Sequence, residues 1–179
     1  FWNTTSRIAK IVIIRDLAIT QIDCLDTVYN NWLVYVKVTV RNEGTYTETF
    51  NVTLTCNSSL IGRKVITLNP FEIRNQIFNW DTTGLILRAN YALHVAATIL
   101  INETDITDNT LTYGPILVIM LGDINRDQVI NIYDVVRVTG IYGSSEGDSK
   151  WNVMSDLRRD GKINIYDVVL VTSKYGTTY

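Results

Sequence analysis

Asp123, Asn125, Asp127, Asn131 and Asp134 occupy positions 1, 3, 5, 9 and 12 of a single stretch, and Val129 at position 7 can add its carbonyl. Oxygen donors at these spacings are what a hard cation of calcium's size requires of a chain that wraps around it. The first three side chains point to the centre of a tight turn, position 9 ligates directly or through water, and position 12 reaches in from the first turn of a helix. The pattern returns 33 residues later as Asp156, Asp160, Asn164 and Asp167, with the carbonyl of Lys162 at position 7. Each copy has an Ile at position 8, Ile130 and Ile163, suited to pairing one loop with the other, and each runs into Val-Val-x-Val-Thr.

A lone Asp-x-Asn-x-Asp occurs in many ordinary surface turns. Recurrence of the carboxylates, the Ile, the closing Asp and the apolar stretch together reads as a duplicated metal loop, with two calcium sites expected. The copies are unequal. Position 3 of the second loop is Arg158, which offers no oxygen and would bring a positive charge toward the ion, so the second site is expected to be the weaker. The first loop places Gln128 at the sharp bend where glycine is favoured, and Gly161 meets that need in the second.

Two such loops, each followed by one helix and separated by a segment ending in Trp151-Asn152-x-x-Ser-Asp156, resemble a type I dockerin over residues 122–176. The entering helix of a full EF-hand is missing, as in that family, because the chain reaches Asp123 directly from the apolar run Ile116–Met120. The resemblance implies two calcium ions buttressing a two-fold pair of helices. It also implies a partner surface just before loop position 12, here Ile132, Tyr133, Ile165 and Tyr166. In the family these slots face a cohesin, often through small hydroxyl residues, and the doubled Ile-Tyr departs from that pattern. Val135, Val136, Val138 and Thr139 are β-branched and favour strands, so the helix expected there depends on the loop motif and packing overriding local propensity.

The elements that carry this module lie upstream. A length of 179 residues suffices for one medium domain or two small ones, and a formal charge of −2 gives no nucleic-acid surface. No apolar run is long enough to span a bilayer. Phe1 rather than Met at the first position fits a chain whose leader has been removed, and equally a trimmed one. Cys24 and Cys56 are compatible with one disulfide in an oxidising compartment or with two buried thiols.

Val34, Val36, Val38 and Val40 alternate with Tyr35, Lys37, Thr39 and Arg41, after which Asn42-Glu-Gly44 turns the chain into a second alternating run. There Phe50, Val52, Leu54 and Cys56 share one face. The two runs are expected to form a strand pair. Further strands are expected over Lys64–Leu68, Asn75–Trp80, Tyr91–Ile101, with Tyr91, Leu93, Val95, Ala97 and Ile99 inward, and Leu111–Met120. Seven short strands separated by polar turns predict an antiparallel, immunoglobulin-like β-sandwich, making the chain mainly β with a small helical domain behind it. Asn-x-Ser/Thr triplets occur at Asn3, Asn51, Asn57 and Asn102, and the alternation turns Asn51 and Asn57 away from the core, as glycan acceptors require.

The ordered segments Asp16-Leu-Ala-Ile-Thr20, Val38-Thr-Val-Arg-Asn-Glu-Gly44, Glu48-Thr-Phe-Asn-Val-Thr53, Phe78-Asn-Trp-Asp-Thr-Thr-Gly84 and Thr104-Asp-x-x-Asp-Asn109 are similar to the CARDB group of cell-adhesion-related, immunoglobulin-like domains. A CARDB sandwich running into a dockerin resembles secreted surface proteins of archaea. This implies adhesion or structural display, without chemistry. Residues 1–14 then form an N-terminal extension, 15–121 the sandwich and 122–179 the calcium-loop domain.

Nothing in the residues supports an enzyme. His94, the sole histidine, falls on the outward side of its strand with no Cys, Ser or carboxylate motif nearby, and no phosphate-cradling glycine loop, HExxH or CxxC pair is present. Trp32, Trp80 and Trp151 could line a sugar platform, although core packing is their commoner fate. The front of the chain has a strand-like half in which Ile8, Ile11 and Ile13 recur. It can add a strand to the sandwich of a neighbouring copy, building a filament or tube, or form an eighth strand within its own subunit. No Pro, Ser or Thr spacer separates Met120 from Asp123, which suits a rigid joint. Together these features predict a glycosylated, calcium-dependent extracellular structural protein that self-assembles, or alternatively a module docking to a cohesin-bearing scaffold or a surface adhesin.

Overall fold

The computed structural model describes residues 13–179. Eight strands precede two helices: β1 (Leu17–Asp23), β2 (Thr27–Tyr29), β3 (Leu33–Asn42), β4 (Glu48–Cys56), β5 (Ser59–Leu68), β6 (Ile73–Asp81), β7 (Asn90–Ala97), β8 (Thr110–Ile119), α1 (Ile132–Thr139) and α2 (Ile165–Ser173). The strands form two sheets in the orders β1-β3-β6 and β2-β8-β7-β4-β5. The fold is an immunoglobulin-like β-sandwich with a small helical unit behind it.

Alternation explains the layering. Val34, Val36, Val38 and Val40 on β3 and Phe50, Val52, Leu54 and Cys56 on β4 are all buried. Their neighbours in sequence line the outer faces, as strand geometry dictates. Burial of each large apolar side chain contributes about 1.5–3 kcal/mol, which makes this shared interior the dominant stabilising term.

The expected pairing of β3 with β4 does not occur. Strand β3 pairs with β1 and β6, whereas β4 pairs with β5 and β7. Each of the two carries one apolar face, and the structure buries these faces by laying the strands on opposite sheets and carrying the chain between layers through 43–47. At that crossing the backbone of Gly44 donates to the Asp16 carbonyl, and a Cβ on Gly44 would meet the Ile14 carbonyl oxygen at 2.4 Å. Only glycine allows so close an approach.

Two further expectations are revised. The short strand β2, absent from the seven expected, pairs in parallel with β8, so the sandwich is not wholly antiparallel. Strand β7 ends at Ala97, and Ile99 lies exposed beyond it rather than inward. Trp32 and Trp80 are buried, and His94 is exposed with Nδ1 3.2 Å from the Thr112 hydroxyl.

The helices form despite their β-branched residues. Each begins with a capping box: Asn131 with Asp134 for α1, and Asn164 with Asp167 for α2. The hydroxyls of Thr139 and Thr172 donate to the carbonyls of Val135 and Val168 four residues back, which accommodates threonine within a helix. Val138 and Val171 face inward with Ile130 and Ile163, so packing completes what propensity opposes.

Sandwich and helical unit share one continuous apolar interior. The buried Tyr29 hydroxyl donates to the Met154 carbonyl at 2.9 Å, and Trp32 Nε1 donates to the Leu157 carbonyl at 3.3 Å. Tyr29 and Trp32 meet edge to face with ring centroids 4.8 Å apart. The β2–β3 corner thus grips the segment that enters the second loop. A second tie joins the sandwich to the first loop, where the Arg88 guanidinium donates to Gln128 Oε1.

Candidate metal centre

In the first loop the acidic side chains converge. Asp123, Asp127 and Asp134 each present a carboxylate oxygen within 4.8 Å of the others, and among the described residues this is the one set of three that converges so closely. Asp123 and Asp134 are fully buried and Asp127 is exposed, so the cluster opens to solvent on one side.

Backbone amides set the positions of these carboxylates. Asp123 Oδ1 accepts from Asp127 N at 3.1 Å and its Oδ2 from Gln128 N at 3.1 Å. Asp134 Oδ1 accepts from Ile124 N and Asn125 N, and its Oδ2 from Asn131 N. Asn125 Nδ2 donates to Asp127 Oδ2 at 2.6 Å. To donate those amides inward the loop bends at Gln128, which takes φ 78°, the same left-handed conformation as Gly161 in the second copy. A side chain held there costs about 1–2 kcal/mol.

Asn131 has a double position. Its side-chain oxygen accepts from Tyr133 N at 2.8 Å and caps α1, and Asn164 does the same for α2 through Tyr166 N. Position 9 therefore serves the helix start in both copies, consistent with ligation there running through water. Val129 and Lys162, whose carbonyls fill position 7, lie in isolated bridges with Thr178 and Ser145.

The second loop repeats the backbone pattern. Asp156 accepts from Asp160 N and Gly161 N, and Asp167 from Arg158 N and Asn164 N. Asp156 and Asp167 are buried and Asp160 is exposed. Burial, opposed by the amide bonds and joined by the field of Asp167, holds the Asp156 carboxyl above its usual range. Arg158 does not bring its charge into the loop. Its guanidinium lies over the Tyr166 ring, 4.7 Å from the centroid, where cation–π attraction holds it on the outer surface. The missing oxygen at position 3 remains, but the repulsion expected from the guanidinium is directed away.

Both loops offer oxygen donors alone, the chemistry that suits calcium or magnesium rather than zinc or copper. The first fits a calcium-sized ion with carboxylates from Asp123, Asp127 and Asp134, whereas Asp156, Asp160 and Asp167 repeat the backbone pattern without an equally close convergence of their carboxylates.

Beside these cages the expected partner residues stand clear. Ile132, Tyr133, Ile165 and Tyr166 are each more than half exposed, joined by Val136 and Val169 one turn on. Asn57 and Asn102 are exposed, and Asn51 is half-buried on the outer face of the five-stranded sheet. Asn57 Oδ1 accepts from Ala92 N, leaving its amide nitrogen uncommitted to that bond. Asn3, Ile8 and Ile11 lie outside the described residues, whereas Ile13 is described and exposed.

Cys24 and Cys56 are free thiols, so the bonded alternative is not realised. They follow or end strands of opposite sheets. Burial pushes the Cys24 thiol up to about 11 and raises Cys56 as well, which favours the protonated thiol in both.

Sequence reasoning missed three participants. Tyr179 donates its hydroxyl to Asp123 Oδ2 at 2.8 Å, and burial, then this bond, pushes its phenol up to about 12. Arg159 reaches the sandwich, and Glu146 lies against the Gly161 bend, its Oε2 3.8 Å from where a Cβ would sit. None falls in the ligand pattern. The offset of 33 residues was the available signal, since it relates Tyr179 to Glu146.

Comparison with known proteins assigns both regions. Residues 14–113 match the CARDB family, and residues 121–174 match the dockerin type I domain. Among solved structures, the CARDB domain of a Pyrococcus furiosus protein, crystallised in complex with di-metal ions, is 23% identical with a TM-score of 0.53. The match covers 62% of this chain and 99% of that one. The solution structure of the same domain is 22% identical over 61% of this chain and 99% of that one, with a TM-score of 0.54. At this identity the likeness shows the fold alone. No curated protein matches the chain.

Proposed function

We propose, from the premise that this chain belongs to the CARDB family and continues into a type I dockerin domain, that it is an extracellular docking module whose helix-pair surface is shaped by calcium. Both are non-catalytic module types that suggest adhesion or docking outside the cell, and a dockerin implies a cohesin partner. No described helix is long and apolar enough to cross a membrane.

One observation carries the reading: the exposed pairs Ile132-Tyr133 and Ile165-Tyr166 immediately precede the buried Asp134 and Asp167. Asp123, Asn125, Asp127, the Val129 carbonyl, Asn131 and Asp134 form the first calcium site. Asp156, Asp160, the Lys162 carbonyl, Asn164 and Asp167 form the weaker second. An ion drawn onto position 12 sets the start of each helix and with it the presentation of the adjacent apolar pair. At a hundred times its dissociation constant an ion stabilises the bound form by about 2.7 kcal/mol. The occupant of the surface is a cohesin-type domain, and Asn3, Asn51, Asn57 and Asn102 carry glycans. Surface plasmon resonance against a panel of cohesin domains tests this. Binding in calcium that is lost in EGTA, and lost in Tyr133→Ala with Tyr166→Ala, supports the reading; no binding to any cohesin overturns it.

A second reading, self-assembly by strand donation from the Ile8–Ile14 segment, is favoured by the sandwich edges β5 and β6, each with one strand neighbour among the described residues. The outward Val65, Ile73 and Ile77 along them are exposed. Electron microscopy of the chain and of a deletion ending at Ile14 tests it: calcium-dependent fibres formed by the full chain alone support donation, and fibres from both contradict it.

A further inference from the structure

The two loops are related by a repeated set of backbone contacts that reaches beyond the loops themselves. Gly176 N donates to the Ile130 carbonyl at 2.7 Å, Ile130 N to the Thr177 carbonyl at 2.9 Å, and Val129 bridges Thr178. Subtracting the repeat from the tail and adding it to the loop gives the second set. Gly143 N donates to the Ile163 carbonyl at 2.8 Å, Ile163 N to the Ser144 carbonyl at 2.9 Å, and Lys162 bridges Ser145. A short antiparallel segment is thus laid along each loop, and its next residue is Tyr179 on the first and Glu146 on the second.

At this pair of equivalent positions the chemistry diverges. The Tyr179 hydroxyl donates to Asp123 Oδ2 at 2.8 Å, and Asp123 is wholly buried at loop position 1. Gln128 N donates to the same oxygen and Asp127 N to the other, so each oxygen of Asp123 is held by a donor. Asp156 receives the two corresponding amides from Gly161 and Asp160. The residue at the equivalent place on the laid-down segment is Glu146, which lies against Gly161 and brings no hydroxyl donor to the loop.

We infer that Tyr179 is a positioning residue for the first calcium site, acting through Asp123, and that the Tyr179–Glu146 asymmetry makes the first loop the tighter of the two. The inference rests on the reading of the loops as calcium sites and deepens it. A donor to a ligating carboxylate fixes its orientation before the ion arrives, and removal of such an outer partner costs about 10–100-fold in metal affinity. The hydroxyl is the sole polar part of Tyr179, so Phe keeps the ring and deletes the donor.

Stepwise calcium titration by calorimetry of the full chain, unsubstituted and as Tyr179→Phe, tests this, with exposed Tyr142→Phe as the control. The expected result is that Tyr179→Phe weakens the tighter of the two constants about 10–100-fold, leaves the other in place, and keeps the same circular dichroism at saturating calcium. A purely structural role for the tail would weaken both constants together. Unchanged constants, or equal loss in both, overturn the inference while leaving the calcium reading intact. An unsubstituted chain that takes up no calcium overturns both.

Discussion

The guanidinium of Arg159 lies over the indole of Trp32, 4.7 Å from the ring centroid, so a residue of the second metal loop is clamped onto the β-sandwich. Its Nη1 also donates to the Leu33 carbonyl at 2.7 Å, and the Tyr35 ring lies 5.2 Å away on its other contact. The loop and the sandwich therefore share a joint, built from the same segment that holds Asp156 and Asp160.

Loss of that joint is measurable. Arg159→Ala removes a partly desolvated cation–π contact of about 0.5–2 kcal/mol and a charge-assisted hydrogen bond of roughly 1.5–3 kcal/mol. We expect a loss of roughly 2–4 kcal/mol by chemical denaturation, and a red shift in tryptophan emission as Trp32 gains solvent. Unchanged stability would show that the clamp holds nothing.

The crossing between sheets depends on Gly44. A Cβ there would strike the Ile14 carbonyl oxygen, a backbone atom that cannot swing aside. Gly44→Ala is expected to cost about 1–3 kcal/mol, the range for forced overpacking. Thermal unfolding of the variant checks this, and an unchanged midpoint would mean that the 43–47 crossing relaxes freely.

Much of this was legible in the residues and some was not. The duplicated loop stood out because ligand spacing is set by the geometry of an ion, and the valine alternation of β3 because a strand must bury one face. Which strand pairs with which was not legible. Strands β3 and β4 read identically whether they lie side by side or face to face, since both arrangements bury Val38 and Val52. The sites' outer partners were hidden for a different reason. Tyr179 and Arg159 meet Asp123 and Trp32 across 56 (179 − 123) and 127 (159 − 32) positions of chain, and no local pattern encodes such a contact. Arg158 was misjudged because side-chain direction depends on the Tyr166 ring.

Two carboxylates give the sandwich an unusual pH response. Burial first, then the field of Asp108, Glu43, Asp105 and Glu103, raises the Asp16 carboxyl above its ordinary 3.8. Asp108 is raised likewise, by burial and then chiefly by Asp105. A carboxyl with a raised value in the folded state favours folding when protonated. Its contribution is complete below the ordinary value and is lost as pH climbs through the folded value. Asp108→Asn should therefore be more stable than the parent at pH 7, with the gap closing toward pH 3. Asp23, Glu72 and Asp81, whose values are lowered, act in the opposite sense and are common to both proteins, so they cancel in this difference. Denaturation of both proteins across that range reads the sign, and a gap that widens on acidification would reverse the assignment.

The capping boxes tie helix stability to the metal loops. Asn164→Ala removes the oxygen that accepts from Tyr166 N and should cost about 1 kcal/mol. The loss should be read as reduced helical signal in calcium, with the second constant weakened and the first unmoved. A weakened first constant would contradict the assignment of Asn164 to the second site.

The most direct test of the whole account is native mass spectrometry of the EGTA-stripped chain with calcium added back. The expected mass increase saturates at two calcium ions per chain, filled in order, with Asp123→Ala losing the earlier one. A chain that stays bare, or that gathers calcium without saturation, would contradict it.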